Sequence, residues 1–360
     1  MVERELSRPG HNERGDSANS SPLVSVVVPV RNEARFIATL IDAICTQDYP
    51  LDKLEVIVAD GQSSDGTKAI LKGLQDRYPQ LIVIDNPRRI VSTGLNLAIA
   101  RARGDIVVRI DGHAVIAPDF LRQNVALLAE HPEAWSVGGP IRHAATTTLG
   151  RATAVAMSHP LGVGNARHRY PHYEGYTEGA QFPAIRRWVF DRIGMFDEAL
   201  VRNQDDEFNY RIRRAGGKVY VSPRVRYHYF VRSQLSQLFK QYFQYGYWRI
   251  PVIQKHGRPT TVRQMAPTLF YAACIVLAVV GAWSREPAVA FGLPGAYAIA
   301  LLIAAATSIP AHGVRVSACV PFAIATLQAG YAWGLGYGLW SRLFRADPWN
   351  VGGKMTALSR

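Results

Sequence analysis

Asp111 and His113 stand two apart in Val107-Val108-Arg109-Ile110-Asp111-Gly112-His113, a run that reads as a buried strand emptying into a turn. Side chains two apart on a strand share a face, so this carboxylate and imidazole can both point at one divalent metal. An imidazole in the set suits Mn2+ better than Mg2+, because oxygen-only sites favour the harder ion. Two more acidic groups punctuate the chain, Asp60-Gly61-Gln62-Ser63-Ser64-Asp65-Gly66-Thr67 and Gln204-Asp205-Asp206-Glu207. Carboxylates there can accept hydrogen bonds from a polar ligand or take a proton in a reaction. They can equally do no more than form a turn and start a helix, whose N-terminal dipole favours negative charge.

The elements around them alternate. Val24 to Val28 is β-rich and stopped by Pro29; Glu33 to Gln47 follows with Phe36, Ile37, Leu40, Ile41, Ile44 and Cys45 on one helical face. Leu54 to Ala59 reads as a second strand, and Asp65 caps a helix running to about Arg77. A third strand at Leu81 to Ile84, a helix from Thr93 to Arg103 and a strand from Asp105 to Ile110 complete the pattern. Apolar strands alternating with amphipathic helices predict an α/β fold with a mostly parallel sheet covered on both faces. Ligands bind such sheets beyond the carboxyl ends of the strands. Those ends carry Arg31-Asn32-Glu33, Asp60 to Asp65, and Asp111-Gly112-His113. Beyond Trp135 the pattern loosens into expected long loops, notably His159 to Glu178, before a short helix from Glu207 to Ala215 and a last strand at Val219 to Val221.

Of 360 residues 48% are hydrophobic, but they are unevenly spread. Met265 to Trp283, Ala288 to Ala311 and Val316 to Ser341 contain no Asp, Glu, Lys or Arg, and each exceeds the ~18 residues that suggest a membrane span. The net charge of +13 is also localised, with twelve Lys or Arg and no acid between Phe208 and Arg263. That run ends at the first apolar segment, which points to a membrane surface rather than nucleic acid. Ser233 to Arg249, with Leu235, Leu238, Phe239, Tyr242, Phe243 and Gly246 on one face, is expected to lie in the interface. Three spans would place Arg342, Arg345, Lys354 and Arg360 against the positive-inside tendency, so the middle segment, with Gly292, Pro294 and Gly295, is the candidate re-entrant one. The polar first 21 residues lack the apolar core of a signal peptide, which leaves the following domain on the cytoplasmic side and the tail itself disordered. Cys45, Cys274 and Cys319 show no paired spacing, so neither a disulfide framework nor a zinc site is indicated.

Pro29-x-x-Asn32-Glu33, Asp60-x-x-Ser63-x-Asp65-x-Thr67, Asp111-x-His113 and Gln204-Asp205-Asp206-Glu207-Phe208-x-x-Arg211, in that order, resemble the family 2 glycosyltransferases of the GT-A fold. The extended pattern, including Asn203 to Arg211 and Gln241 to Arg249, is similar to bacterial exopolysaccharide enzymes of the succinoglycan ExoA type. The resemblance implies that Glu33 and Asp60 hold the nucleoside of a UDP-sugar, with Pro29, Asn32 and Asp65 among the substrate-binding residues, and Asn96 and Arg89, near the start of the third helix, are placed to reach the nucleotide. It places a divalent metal on Asp111 and His113, although the family pair is usually Asp-x-Asp. It makes Asp205 the general base, with Asp206 the rival, and puts Arg211, the Gly179-Ala180 loop, Gln241 and Trp248 around the substrates. It implies hexose transfer, with glucose expected, to a polyprenyl-diphosphate-linked oligosaccharide at the bacterial inner membrane, by a multi-pass protein with a cytoplasmic catalytic domain. On this reading residues 22–232 are catalytic, 233–263 an interface helix and linker, 264–343 a membrane domain, and 344–360 a polar tail. Transfer to polyprenyl phosphate or another lipid is the runner-up. A nucleotidyltransferase is disfavoured, since the loop Pro29 to Glu33 has no glycine. From a different class, an inactive nucleotide-binding assembly subunit is the remaining alternative.

Overall fold

A computed structural model describes residues 21–344, and the tails expected at either end lie outside the described residues apart from Ser21 and Phe344. In chain order the elements are β1 (Val24–Val30), α1 (Ile37–Cys45), β2 (Leu54–Asp60), α2 (Thr67–Arg77), β3 (Leu81–Asp85), α3 (Val91–Arg101), β4 (Ile106–Arg109), β5 (Val115–Ile116), α4 (Phe120–Glu130) and β6 (Ala134–Gly139). There follow β7 (His143–Ala144), α5 (Thr148–Ala156), α6 (Pro160–Val163), β8 (Gly175–Thr177), β9 (Gln181–Arg186), α7 (Trp188–Ile193), α8 (Gln204–Arg214), β10 (Lys218–Val221) and β11 (Tyr227–Phe230). The chain ends in α9 (Leu235–Tyr247), α10 (Arg249–His256), α11 (Ala266–Ser284), α12 (Pro287–Ser317) and α13 (Val320–Phe344). It divides into two compact units, one of residues up to 142 with 167–229, the other of residues 143–166 with 230 onward.

The first unit is built on an eight-stranded sheet in the order β3-β2-β1-β4-β9-β6-β10-β8. β1 to β4 run parallel, β9 runs antiparallel to β4 and β6, and β8 antiparallel to β10. Alternation along β1 explains why the strands read as continuous apolar runs. Val26 and Val28 join Ile37, Leu40, Ile41 and Ile44 of α1 on one face. Val27 joins Leu95, Ala98 and Ile99 of α3 and Phe208 and Ile212 of α8 on the other. Both faces are therefore covered, as expected of a sheet of this kind.

Several boundaries differ from the sequence reading. β1 continues through Pro29, which pairs in register with Ala59, so the proline does not stop it. α1 begins only at Ile37, because Phe36 and Ile37 both donate backbone bonds to the Glu33 carbonyl and close a turn first. β4 ends at Arg109, and the amide of Ala114 donates to the Asp111 carbonyl at 3.0 Å. Asp111 and His113 therefore flank a turn instead of sharing a strand face. β10 is followed by another strand, β11, paired antiparallel with β5.

In the second unit, residues 148–163 form α5 and α6, where a longer irregular stretch was expected to begin. Ala152, Ala156 and Met157 pack with Leu238 and Tyr242 of α9 and with Val320, Ala323, Ile324 and Leu327 of α13. The expected helix from Ser233 to Arg249 is α9, and α10 follows it directly after Trp248. The face of α9 expected to meet lipid meets α13 instead. A Cβ at Gly246 would lie 2.1 Å from the Tyr331 carbonyl oxygen, and one at Gly334 2.0 Å from that of Phe243. Among the described residues two helices are long and apolar enough to cross a membrane, Val262–Ser284 and Pro287–Ser317. α13 is charge-free over most of its length, but its Gly, Tyr, Trp, Gln and Thr dilute its apolar character below that of α11 and α12.

Candidate active site

β2, β1 and β4 are neighbours, so the loops leaving their carboxyl ends share one rim. Polar side chains stitch these loops together. The Asn32 amide donates to Ser63 Oγ at 2.8 Å, and the Ser64 amide donates to Asn32 Oδ1 at 2.8 Å. Glu33 N donates to Thr67 Oγ1 at 2.9 Å and Ala34 N to Asp65 Oδ2 at 3.0 Å. Asn32, Gln62 and Arg89, one from each of three successive rim loops, hold φ angles of 57°, 56° and 62°. Non-glycine residues adopt that left-handed region uncommonly and need surrounding contacts to stay there. Arg89 donates to the Gln62 side chain, which ties two of the three loops together.

Asp65 was expected both to cap α2 and to reach a ligand. Its Oδ1 accepts from the amide and hydroxyl of Thr67 at 3.1 and 2.6 Å, while Oδ2 accepts from Ala34, so it caps α2 and ties the β1 and β2 loops together. Desolvation raises its pKa, but the Thr67 hydroxyl and the amides outweigh it and hold the carboxyl below its ordinary value. Asp60 ends β2 and is only 1% exposed. Its Oδ2 accepts from Ser63 N at 3.1 Å and lies 3.5 Å from Lys68 Nζ, so it braces the loop from below.

Asp111 is fixed from the end of β4. Arg109, 7% exposed, donates through Nε at 3.2 Å and Nη2 at 3.0 Å, both to Asp111 Oδ1. Gly112 has to be glycine here, because a Cβ would stand 2.9 Å from Val30 Cγ1 and 3.0 Å from Glu33 Cγ. That close approach sets His113 Nδ1 3.2 Å from Glu33 Oε1. Glu33 was expected to hold a nucleoside, yet it is 2% exposed and turned toward His113. Its place is that of a carboxylate orienting an imidazole, the arrangement that commonly stands behind metal-binding histidines. No group of three His, Cys, Asp or Glu able to hold a metal exists among the described residues. Asp111 and His113 thus stand at the rim as a pair, without a third such side chain grouped with them among the described residues.

The three acids of α8 separate by burial. Glu207 is 0% exposed and accepts from Arg211 Nε at 2.9 and 3.0 Å. Asp205 and Asp206 remain partly exposed in the first turn, preceded by Asn203 at φ 62°. Asp205 Oδ1 accepts from the Asp206 amide at 2.9 Å. Arg211 also donates to the carbonyls of Ile193, Gly194 and Met195 at 2.6, 3.1 and 2.7 Å. Arg211 was expected to meet a substrate; here its guanidinium clamps α8 to the end of α7 and the loop that follows. Asn96 is likewise engaged within the unit. Its Oδ1 accepts from Phe196 N at 3.0 Å, and its Nδ2 donates to Phe196 O at 2.8 Å and Glu198 Oε1 at 2.9 Å. Replacing Arg211 by Ala leaves the buried Glu207 carboxylate uncompensated, so Arg211→Ala is expected to cost about 3–5 kcal/mol of stability. A thermal or urea midpoint for the purified variant would show the loss, and an unchanged midpoint would contradict the clamp.

The Gly179-Ala180 loop precedes β9, whose Gln181 pairs with Gly139 at the end of β6. β9 runs antiparallel to β4, so this loop belongs to the same rim as Asp111. A Cβ on Gly179 would sit 2.9 Å from Asn209 Nδ2, and Asn209 lies one helical turn after Asp205 on the same face of α8. The rim, the glycine loop and the base candidate are thus tied by contacts within one unit. Gln241 and Trp248 lie in the second unit, both buried, with Gln241 donating to Tyr245 Oη at 3.1 Å and Trp248 against Tyr247. Arg109 and Asn209 complete the arrangement without having been assigned roles from the sequence. For Arg109 the signal was present, since a cation two residues before Asp111 is within reach of its carboxylate.

Residues 25–193 match the description of glycosyl transferase family 2. Succinoglycan biosynthesis protein ExoA of Rhizobium meliloti (strain 1021) is 31% identical over 327 residues, covering 90% of this chain and 87% of that one. The chain belongs to glycosyl transferase family 2. This glycosyltransferase is also 27% identical over 231 residues to a Methanococcus voltae enzyme, dolichyl N-acetyl-alpha-D-glucosaminyl phosphate 3-beta-D-2,3-diacetamido-2,3-dideoxy-beta-D-glucuronosyltransferase, covering 62% of this chain and 71% of that one. Its fold is similar to that of the mannosyltransferase PcManGT from Pyrobaculum calidifontis, solved with GDP-Man and Mn2+, with a TM-score of 0.57, 23% identity and 92% of each chain covered. The GT-A architecture expected from the motif order is the one the glycosyltransferase has.

Proposed function

We propose that this glycosyltransferase moves a hexose, with glucose expected, from a UDP-sugar to a polyprenyl-diphosphate-linked oligosaccharide, inverting the anomeric configuration and extending a bacterial exopolysaccharide. The observation that carries the reading is the likeness to the succinoglycan protein, because it continues past the catalytic unit through most of the C-terminal helices. The Methanococcus relative is named for a lipid phosphate that already bears a sugar, which favours a glycosylated acceptor over bare polyprenyl phosphate. The enzyme works at the cytoplasmic face of the inner membrane, held there by its apolar helices.

The donor's nucleoside lies over the loops braced by Asn32, Asp60 and Asp65. The acceptor sugar approaches along Gly179-Ala180, where the absence of bulk admits it to the backbone. Its hydroxyl gives a proton to Asp205 while its oxygen bonds the anomeric carbon. The bond from that carbon to the diphosphate breaks, and its electron pair leaves on UDP. Attack opposite the leaving group converts an α-linked donor into a β-linked product. A divalent cation held by Asp111 and His113, Mn2+ favoured over Mg2+, would supply positive charge to the departing diphosphate.

Glu33 orients the imidazole in this scheme. Glu33→Gln is expected to weaken Mn2+ binding about 10–100-fold, the usual cost of losing a carboxylate behind a ligating histidine. Paramagnetic resonance titration of Mn2+ with UDP present measures it, and an unchanged affinity would return Glu33 to a purely structural role. The overall reading is tested by supplying membranes containing the protein with a panel of UDP- and GDP-sugars and following release of the nucleoside diphosphate. Turnover with a UDP-hexose and lipid-linked acceptor is expected; turnover with GDP-sugars alone would overturn the donor assignment.

A further inference from the structure

We propose that the chain crosses the bilayer twice, as a hairpin of α11 and α12, and that α13 returns along the membrane surface on the side where residues 24–263 lie. The proposal takes membrane association from the functional reading above and adds the topology. α11 has 19 residues, about 28 Å at 1.5 Å per residue, close to the ~30 Å of hydrocarbon a span must cover. It turns at Arg285, φ 59°, and α12 folds back against it, with the Phe270 and Tyr297 rings 4.8 Å apart. Leu269, Ile275, Val279, Phe291, Ile299 and Leu302 point outward and exposed along both helices, a surface that suits lipid.

Charge divides across this hairpin in one sense. Its tip holds only Arg285 and Glu286, beside Trp283, which is 89% exposed, as tryptophans at a membrane–water boundary are. Before it stand the twelve basic residues of the run between Phe208 and Arg263. After it α12 breaks at Gly313, φ 75° and ψ 162°, and Arg315, Arg342, Arg345, Lys354 and Arg360 follow. Two crossings put all of these on the side of the basic run, whereas a third crossing would export the last four against the positive-inside tendency.

The packing of α13 argues the same way. α9 lies along it at Gly330, Gly334 and Gly338, whose absent Cβ positions are filled by the backbone at Phe239, Phe243 and Tyr247. Were α13 a span, α9 would be drawn into hydrocarbon with Lys240, Gln241 and Gln244, residues the membrane interior disfavours. Lying at the surface, α13 keeps its glycine face on α9 and offers Phe322, Trp333, Leu339, Trp340 and Leu343 to the headgroup boundary.

The test uses the full chain with its three cysteines replaced and single sites restored by Asp76→Cys, Glu286→Cys, Ala318→Cys or a cysteine added after Arg360. Vesicles of both orientations are labelled with a membrane-impermeant maleimide. The hairpin predicts that only Glu286→Cys labels from the face opposite Asp76→Cys. Three spans would move the added C-terminal cysteine to that opposite face, and a re-entrant α12 would move Ala318→Cys there; either result overturns the proposal. A fluorescent protein fused after Arg360 of the unmodified chain, expected to be bright because it stays cytoplasmic, repeats the test without substitutions. Removal of the protein from membranes by alkaline carbonate would also overturn it. Sugar transfer by the same preparation is scored separately, so loss of the functional reading and loss of the topology are distinguishable.

Discussion

Asp205→Asn is expected to lower kcat by roughly 10²–10⁴-fold, the usual contribution of a positioned general base. The amide keeps an oxygen that can accept from the Asp206 backbone, as Asp205 Oδ1 does at 2.9 Å, so α8 should start as before. What it loses is the capacity to take a proton from the acceptor hydroxyl. The KM for the sugar nucleotide should change little, because the base acts on the other substrate. Asp206→Asn is the matched control and should cost far less. Glu207→Gln belongs to a different class, since Glu207 is buried against Arg211 and its loss should appear in stability. A larger fall for Asp206→Asn than for Asp205→Asn would exchange the two roles.

Asp111→Asn should be nearly as damaging, for two separable reasons. It weakens the carboxylate that would hold the cation neutralising the leaving diphosphate, an effect of several kcal/mol on the barrier. At 1.36 kcal/mol per tenfold, that corresponds to about 10²–10³-fold in kcat/KM. It also removes the anionic partner of Arg109, a guanidinium that is 7% exposed and donates twice to Asp111 Oδ1. Leaving that charge uncompensated destabilises the rim. The double variant Arg109→Gln with Asp111→Asn should recover much of the thermal midpoint and none of the activity. If activity returns along with stability, Asp111 serves only to hold Arg109, and the metal assignment falls.

The sheet was legible from Val26, Val27 and Val28 alone, because strands buried on both faces need apolar residues at every position. The rim was legible because Asn32, Asp60 and Asp111 each follow such a run. What the pattern could not convey is how a polar group is spent. Asp65, Asn96 and Arg211 look like ligand-binding residues by type and position, and each also bonds within the chain, to Ala34 and Thr67, to Phe196, and to carbonyls at the end of α7 and beyond. Such partners lie up to a hundred residues away in the chain and leave no mark on local spacing. The third apolar segment was ambiguous for a related reason. Absence of charge from Val316 to Ser341 fits a span or a buried helix equally, and the glycines that seat α13 on α9 are seen only in the packing.

The anomeric configuration of the product tests the central claim most directly. The full-length enzyme, supplied with Mn2+, lipid-linked acceptor and the α-linked UDP-hexose that supports turnover, should form a β-glycosidic bond, read from the proton coupling at the new anomeric centre. An α-linked product would contradict single displacement with Asp205 as base, and with it the roles assigned to the rim.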